Sequence, residues 1–149
     1  KSKGIELSAL WTPKTNFNVG LNYNYNDTYD GADCDDPDVG ATACIDSAMV
    51  RVPRHEITSA VNYKINKNLS NKFLVKYKGE TRDYGNTNNG FADVILDDHI
   101  TLNYSAKYRL YDTYDLFFHA DNIFDQNYEE AYQYSTMGRT FNFGIRRVY

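Results

Sequence analysis

Asn16-Phe17-Asn18-Val19-Gly20-Leu21-Asn22-Tyr23-Asn24-Tyr25-Asn26 decides the fold. Phe17, Val19, Leu21, Tyr23 and Tyr25 fall on one face of an extended chain, and Asn or Gly fills every position between them. A period of two is the mark of a strand with one apolar and one polar face. A helix would scatter the same residues around its circumference, and Asn is a poor helix former.

The pattern recurs on both sides of this stretch. Residues 4–12 put Ile5, Leu7, Ala9 and Trp11 on an apolar face. Residues 55–65 do so with Ile57, Val61, Tyr63 and Ile65. Residues 72–82 set Phe73, Val75 and Tyr77 against Lys72, Lys76, Lys78, Glu80 and Arg82. Residues 94–110 set Ile100, Leu102, Tyr104, Ala106 and Tyr108 against Asp97, His99, Thr101, Asn103, Ser105, Lys107 and Arg109. Residues 114–122 offer Leu116, Phe118 and Ala120, and residues 140–149 offer Phe141, Phe143, Ile145 and Tyr149. Seven antiparallel strands are expected.

The connections alternate as well. Three are short: 13–15, 66–68 and 111–113. Three are long or polar: 27–54, 83–93 and 123–139. Short turns at one end and long loops at the other characterise an outer-membrane barrel, with the short turns in the periplasm. A soluble β-sandwich also alternates. Its strands average about 5–6 residues, and those read here are longer. Dense charge and Asn on the polar faces suit a wet lumen, and Trp11, Phe17, Tyr63 and Tyr108 near strand ends suit interfacial girdles.

Composition agrees with this reading. Aromatics make up 15% of the 149 residues, with 14 Tyr, 8 Phe and one Trp. Mean hydropathy is negative, as for a barrel in which only alternate residues meet lipid. No run of about 18 apolar residues is present, so no helical span is expected. The net charge of −4 comes without any basic stripe, which argues against a nucleic-acid partner.

Seven strands leave two unpaired edges, and unsatisfied backbone groups are costly in hydrocarbon. Bacterial single-chain barrels have even strand numbers of about eight or more. The expectation is therefore a fragment of a larger barrel, with further strands upstream of Lys1. On this reading residues 1–149 form one C-terminal piece of barrel wall, without a plug.

Cys34 and Cys44 share an Asp/Gly-rich stretch with no His nearby. A local disulfide, and hence an oxidising compartment, is the reading taken. Asp33, Asp35, Asp36 and Asp38 crowd the same loop. Oxygen ligands at that density can hold Ca²⁺, but their spacing does not follow the EF-hand, and a solvated acidic loop is the plainer reading. His55, His99 and His119 lie on different strands. His99 and His119 fall on lumen-side positions of adjacent strands and could approach each other, with a buried polar network or simple lumen hydration the plainer reading. No catalytic constellation is visible, so no enzyme is expected.

Certain residues also resemble a known family. Asp121-Asn122-Ile123-Phe124-Asp125-Gln126-Asn127-Tyr128, then Tyr134-Ser135-Thr136-Met137-Gly138-Arg139, resembles the end of TonB-dependent outer-membrane receptors. Lys3-Gly4-Ile5-Glu6 resembles a segment that opens an earlier strand there, and Arg51-Val52-Pro53-Arg54-His55 the start of a downward strand. At the C-terminus, Asn142, Gly144 and Tyr149 resemble the signal read by the barrel assembly machinery. Arg147 falls where that signal has an apolar residue, and an Arg near the interface can snorkel to the headgroups.

The resemblance implies a wall of about 22 strands in a Gram-negative outer membrane. It implies a receptor, energised by the TonB complex through a plug, that imports a scarce bulky nutrient. Cobalamin is the ligand suggested by the spacing from Tyr128 to Arg139, with a ferric siderophore or heme as the alternative. Ligand contacts would come from the outer loops 27–54, 83–93 and 123–139. Phe124 and Tyr128 would pack the outer rim, and Gly138 would turn the chain before Arg139. A passive porin and an adhesin-like surface β-protein are the competing classes.

Overall fold

The computed structural model describes residues 2–29, 48–87 and 90–148. Cys34, Cys44, Asp33, Asp35, Asp36, Asp38 and Tyr149 lie outside these described residues.

Seven long strands form one sheet: β1 (Ser2–Lys14), β2 (Phe17–Thr28), β3 (His55–Lys64), β4 (Leu69–Lys78), β7 (His99–Leu110), β8 (Tyr114–Asp121) and β11 (Thr140–Arg147). Their order is β1-β2-β3-β4-β7-β8-β11. Every neighbouring pair is antiparallel. Lengths of 8–13 residues suit tilted strands crossing hydrocarbon, which takes about 9–11 residues.

The register keeps mainly apolar and mainly polar positions in separate files. Ala9, Leu21, Ser59, Val75 and Leu102 run across five strands on one face. Ser8, Asn22, Thr58, Lys76 and Thr101 run across the same strands on the other. A slip of one residue would exchange the faces along a whole strand, so the burial preference of one face locks the pairing.

The sheet has no second layer among the described residues. Apart from Pro53 and two glycines, Leu96 and Ala120 are the buried apolar residues among those described. Ile5, Leu7, Trp11, Phe141, Phe143 and Ile145 are exposed. An apolar face this continuous and uncovered needs lipid. At the short-turn end, Trp11 packs edge-on to Phe17 with centroids 6.0 Å apart, and Phe17 to Tyr63 at 6.1 Å. That row lies where an interfacial girdle belongs.

The short turns have local causes. Tyr111 and Asp112 both have positive φ, 50° and 54°, and Thr113 N–H donates to Leu110 C=O at 3.1 Å. Two positive φ values make the mirror-image turn whose twist matches a hairpin. Asn66 Oδ1 accepts from the N–H groups of Asn68 and Leu69 at 2.8 and 2.9 Å, an Asx turn built by a side chain.

Three expectations need correction. Loop 83–93 is the inner part of a hairpin, β5 (Thr81–Thr87) and β6 (Gly90–Leu96), standing above the main sheet. The strand expected over 72–82 therefore ends at Lys78, and the one expected over 94–110 begins at His99. Alternation continues through both junctions, so periodicity alone cannot see the break. Segment 123–139 contains a small hairpin, β9 (Glu129–Ala131) and β10 (Tyr134–Ser135). Finally, His99 and His119 do not meet. His99 stands opposite Lys78, whereas His119 stands opposite Ser105 and shares a 2.9 Å hydrogen bond with its hydroxyl. Ser105 is six residues from His99 on β7, roughly 20 Å along a strand.

Candidate functional site at the outer mouth

The stretch from Asn122 to Arg139 folds back on itself as a clasp above β7, β8 and β11. Asn122 leaves β8 with φ 48°, a conformation Asn tolerates better than most residues. Its side chain then works in both directions. Nδ2 donates to Gln126 C=O at 2.8 Å and to Met137 C=O at 3.4 Å, and Oδ1 accepts from Gln126 N–H at 3.0 Å. Its own N–H donates to Asn103 Oδ1 at 2.9 Å. Gln126 Oε1 in turn accepts from Ile100 N–H at 3.1 Å.

Asp125 closes the other side. Its Oδ1 accepts from Arg139 N–H at 2.8 Å, and its Oδ2 lies 3.5 Å from Arg139 Nη2. A Cβ on Gly138 would come within 2.9 Å of Asp125 Oδ1. Gly138 is thus explained by close approach; positive φ is absent there. Phe124 is exposed on the rim. Tyr128 points inward instead, with its ring stacked on His99 at 4.0 Å and 21°.

Beneath the clasp a concave space of about 590 Å³ opens toward the lumen, lined in part by Arg51, Lys76, Lys78, His99, Tyr128 and Glu130. Glu130 Oε2 accepts from Lys78 Nζ at 2.6 Å, and Oε1 lies 3.8 Å from His99 Nε2. The Lys78 ammonium holds the Glu130 carboxyl below its ordinary range, against a smaller opposing effect of burial. His99 is nine-tenths buried, and its Nδ1 has no partner among the described residues. Cations, a carboxylate and a stacked aromatic pair can hold a polar, bulky molecule by charge and stacking. Among the described residues no group of three or more His, Cys, Asp or Glu is placed to hold a metal ion.

Asp83 ties this space to the loops above it. It is 1% exposed. Oδ1 accepts from Arg51 Nε at 3.0 Å and from Tyr84 N–H at 2.8 Å, and Oδ2 accepts from Tyr132 N–H at 2.8 Å. Burial pushes this carboxyl up, but the Tyr132 N–H, the Arg51 guanidinium and the Tyr84 N–H outweigh it and hold it below its ordinary value. Arg51 itself sits at φ 62° and donates its N–H to Arg82 C=O at 2.8 Å. Sequence reasoning placed Asp83 and Glu130 in the outer loops 83–93 and 123–139 expected to contact ligand but singled out neither, and it passed over Lys78. Asp83 marked only the edge of a loop, and one charge in a polar loop carries no signal until its partners, far off in sequence, are known.

At the opposite end of the barrel wall, fully buried Asp115 accepts from Arg109 Nε on β7 and from Arg146 Nη2 on β11. Of the expected assembly signal, Asn142 stands opposite His119 and Gly144 opposite Phe117.

A single-layer sheet with a lipid face, a charged lumen face, tight turns at one end and tied loops at the other defines a section of transmembrane β-barrel wall. The chain belongs to the family of TonB dependent receptor-like β-barrels, whose model matches residues 1–123. No curated protein matches the sequence. Solved structures do match in fold. The ferripyoverdine receptor of the outer membrane of Pseudomonas aeruginosa is 14% identical, with a TM-score of 0.75 over 97% of this chain and 19% of that one. The siderophore receptor PiuA from Acinetobacter baumannii is 20% identical, with a TM-score of 0.70 over 97% and 21%. The closed form of the ferric-catecholate import receptor Fiu from E. coli K12 is 18% identical, with a TM-score of 0.73 over 97% and 20%. The chain therefore spans about a fifth of the length of these receptors.

Proposed function

We propose that this chain is the C-terminal wall section of a receptor that imports a ferric siderophore across a Gram-negative outer membrane. The family match over residues 1–123 carries the reading. Energy comes from the TonB complex, acting through a plug inside a closed wall of about 22 strands. The protein works by binding and release and is a transport receptor, with no chemical step of its own. Its apolar face meets outer-membrane lipid, and the barrel assembly machinery inserts it.

The rim pocket beneath the clasp is where this section meets the ligand. The spacing from Tyr128 to Arg139 suggested cobalamin. The matching solved structures are described as pyoverdine, ferric-catecholate and siderophore receptors, and they weigh toward a ferric siderophore over cobalamin or heme.

The test uses the protein expressed from its complete gene in an outer membrane stripped of its own iron receptors. Uptake of radiolabelled iron is followed with ferric tris-catecholate, ferric tris-hydroxamate and ferric pyoverdine, and cyanocobalamin and heme are tested alongside. Saturable uptake of at least one ferric chelate, abolished by deleting TonB, is expected. Uptake that survives without TonB and does not saturate indicates a passive porin. Uptake of cobalamin or heme alone overturns the ligand assignment.

A further inference from the structure

We propose that Asp83 is a positioning residue for ligand capture: one buried carboxylate presets two walls of the rim pocket. The proposal rests on the uptake reading above. Three chain segments meet at Asp83. Arg51 comes from the loop before β3, Tyr84 from the hairpin of Asp83 itself, and Tyr132 from the turn between β9 and β10.

Two of these segments carry pocket-lining residues. Arg51 lines the pocket directly, and Tyr128 and Glu130 lie just before Tyr132 on the clasp. Asp83 uses both carboxylate oxygens to hold them, so neither wall can move without breaking a buried, charge-assisted bond. Its three N–H donors leave Asp83 well satisfied, as a buried charge must be.

Gly85 supplies an independent observation. A Cβ there would run into the Tyr132 ring. The hairpin and the clasp turn are thus packed face to face two residues from Asp83. Gly85 lacks a positive φ, so Ala at this position probes the contact without straining the backbone. Arg51 adds its own constraint, because its left-handed backbone is costly and persists only where surroundings hold it.

Preset walls lower the ordering cost of binding, so they act on affinity. Energised passage through the barrel is a separate step and is left alone. The Asp83→Asn, Gly85→Ala and Arg51→Gln variants are made in the intact protein in cells, and surface copies are counted by antibody. The probe is whichever of ferric tris-catecholate, ferric tris-hydroxamate or ferric pyoverdine the wild type carries best. Asp83→Asn and Gly85→Ala should each raise the half-saturating concentration about tenfold, a factor that ordinary losses of preorganisation reach. Maximal uptake per surface copy should stay near wild type. Gly85→Ala removes no charge or hydrogen bond, so it keeps the test alive where Asp83→Asn fails to reach the surface. Asp115→Asn, at the far end of the wall, should lower surface copies and leave half-saturation unchanged.

Unchanged half-saturation in both Asp83→Asn and Gly85→Ala overturns the proposal. A wild type that carries none of the probes overturns the uptake reading instead. Hydrogen exchange on the purified receptor then decides the positioning claim. Faster exchange in residues 48–53 and 128–133 together, in Asp83→Asn, upholds the two-wall clamp, and faster exchange in neither removes it.

Discussion

Lys78 Nζ donates to Glu130 Oε2 at 2.6 Å, so the last residue of β4 holds a clasp that begins after β8. The tie crosses β7 and joins parts of the chain 52 residues apart. Lys76 and His99 are the other charged or titratable groups facing Glu130. Its carboxyl is held below the ordinary range, so the tie is fully present above the ordinary Glu value of about 4.3 and is lost as pH falls through the lower folded value. Glu130 is half exposed, and such a pair contributes at most about 1 kcal/mol. Glu130→Gln should lower hydrogen-exchange protection in residues 128–133 at neutral pH, and its difference from wild type should vanish at a pH below the folded Glu130 value. Identical exchange in variant and wild type at both pH values would remove the tie from the account.

Asn122 is expected to be the costliest single loss in the clasp. Asn122→Ala deletes the bonds to Gln126 and Met137 and puts a less tolerant residue at φ 48°. A loss of about 1–2 kcal/mol is expected for leaving these part-buried bonds unmade. Limited proteolysis should then cut within 123–139, with the strands below intact. Asn122→Gly relieves the backbone and not the bonds, and should fall between the two.

The buried Asp115 joins β7, β8 and β11 near the short-turn end. Removing it leaves two arginines without their shared partner where the last strand must dock. Asp115→Ala should reduce the folded, heat-modifiable fraction on a gel, and Asp115→Glu should recover part of it. Normal folding of Asp115→Ala would show that the cluster is dispensable for assembly.

Cys34 and Cys44 are proposed to form a disulfide that closes a short outer loop, worth roughly 2–3 kcal/mol in the chain-entropy model. Protein exported to the periplasm should resist alkylation at both residues until reduced. Immediate labelling of both thiols in unreduced protein would end that proposal.

Much of the fold was legible because a period of two is a direct image of a two-faced sheet. The two faces of β2, with Leu21 on one and Asn22 on the other, follow from residues 16–26 alone. The break at Lys78 was not legible, because Gly79 and Glu80 interrupt the strand without disturbing alternation. The clasp was half legible. Asn122, Asp125, Gly138 and Arg139 stood out through family resemblance; the structure joins Asn122, Asp125 and Arg139 by hydrogen bonds and packs Gly138 against Asp125. The inward turn of Tyr128 depends on the position of His99, which lies 29 residues earlier, and the Asp83 junction depends on three separated segments. Long-range polar contacts of this kind leave no local periodicity.

The division into a lipid face and a water face is the central claim, and spin-label accessibility tests it most directly. Single cysteines are placed in turn at positions 17 to 26 in a Cys34→Ser, Cys44→Ser background of the intact receptor, reconstituted in bilayers. Collision with lipid-soluble oxygen should peak at 19, 21 and 23, and collision with a water-soluble nickel chelate should peak at 18, 20, 22 and 24. The two profiles should alternate out of phase with a period of two. High nickel accessibility at every position, with no alternation, would place the strand in water and contradict a membrane barrel.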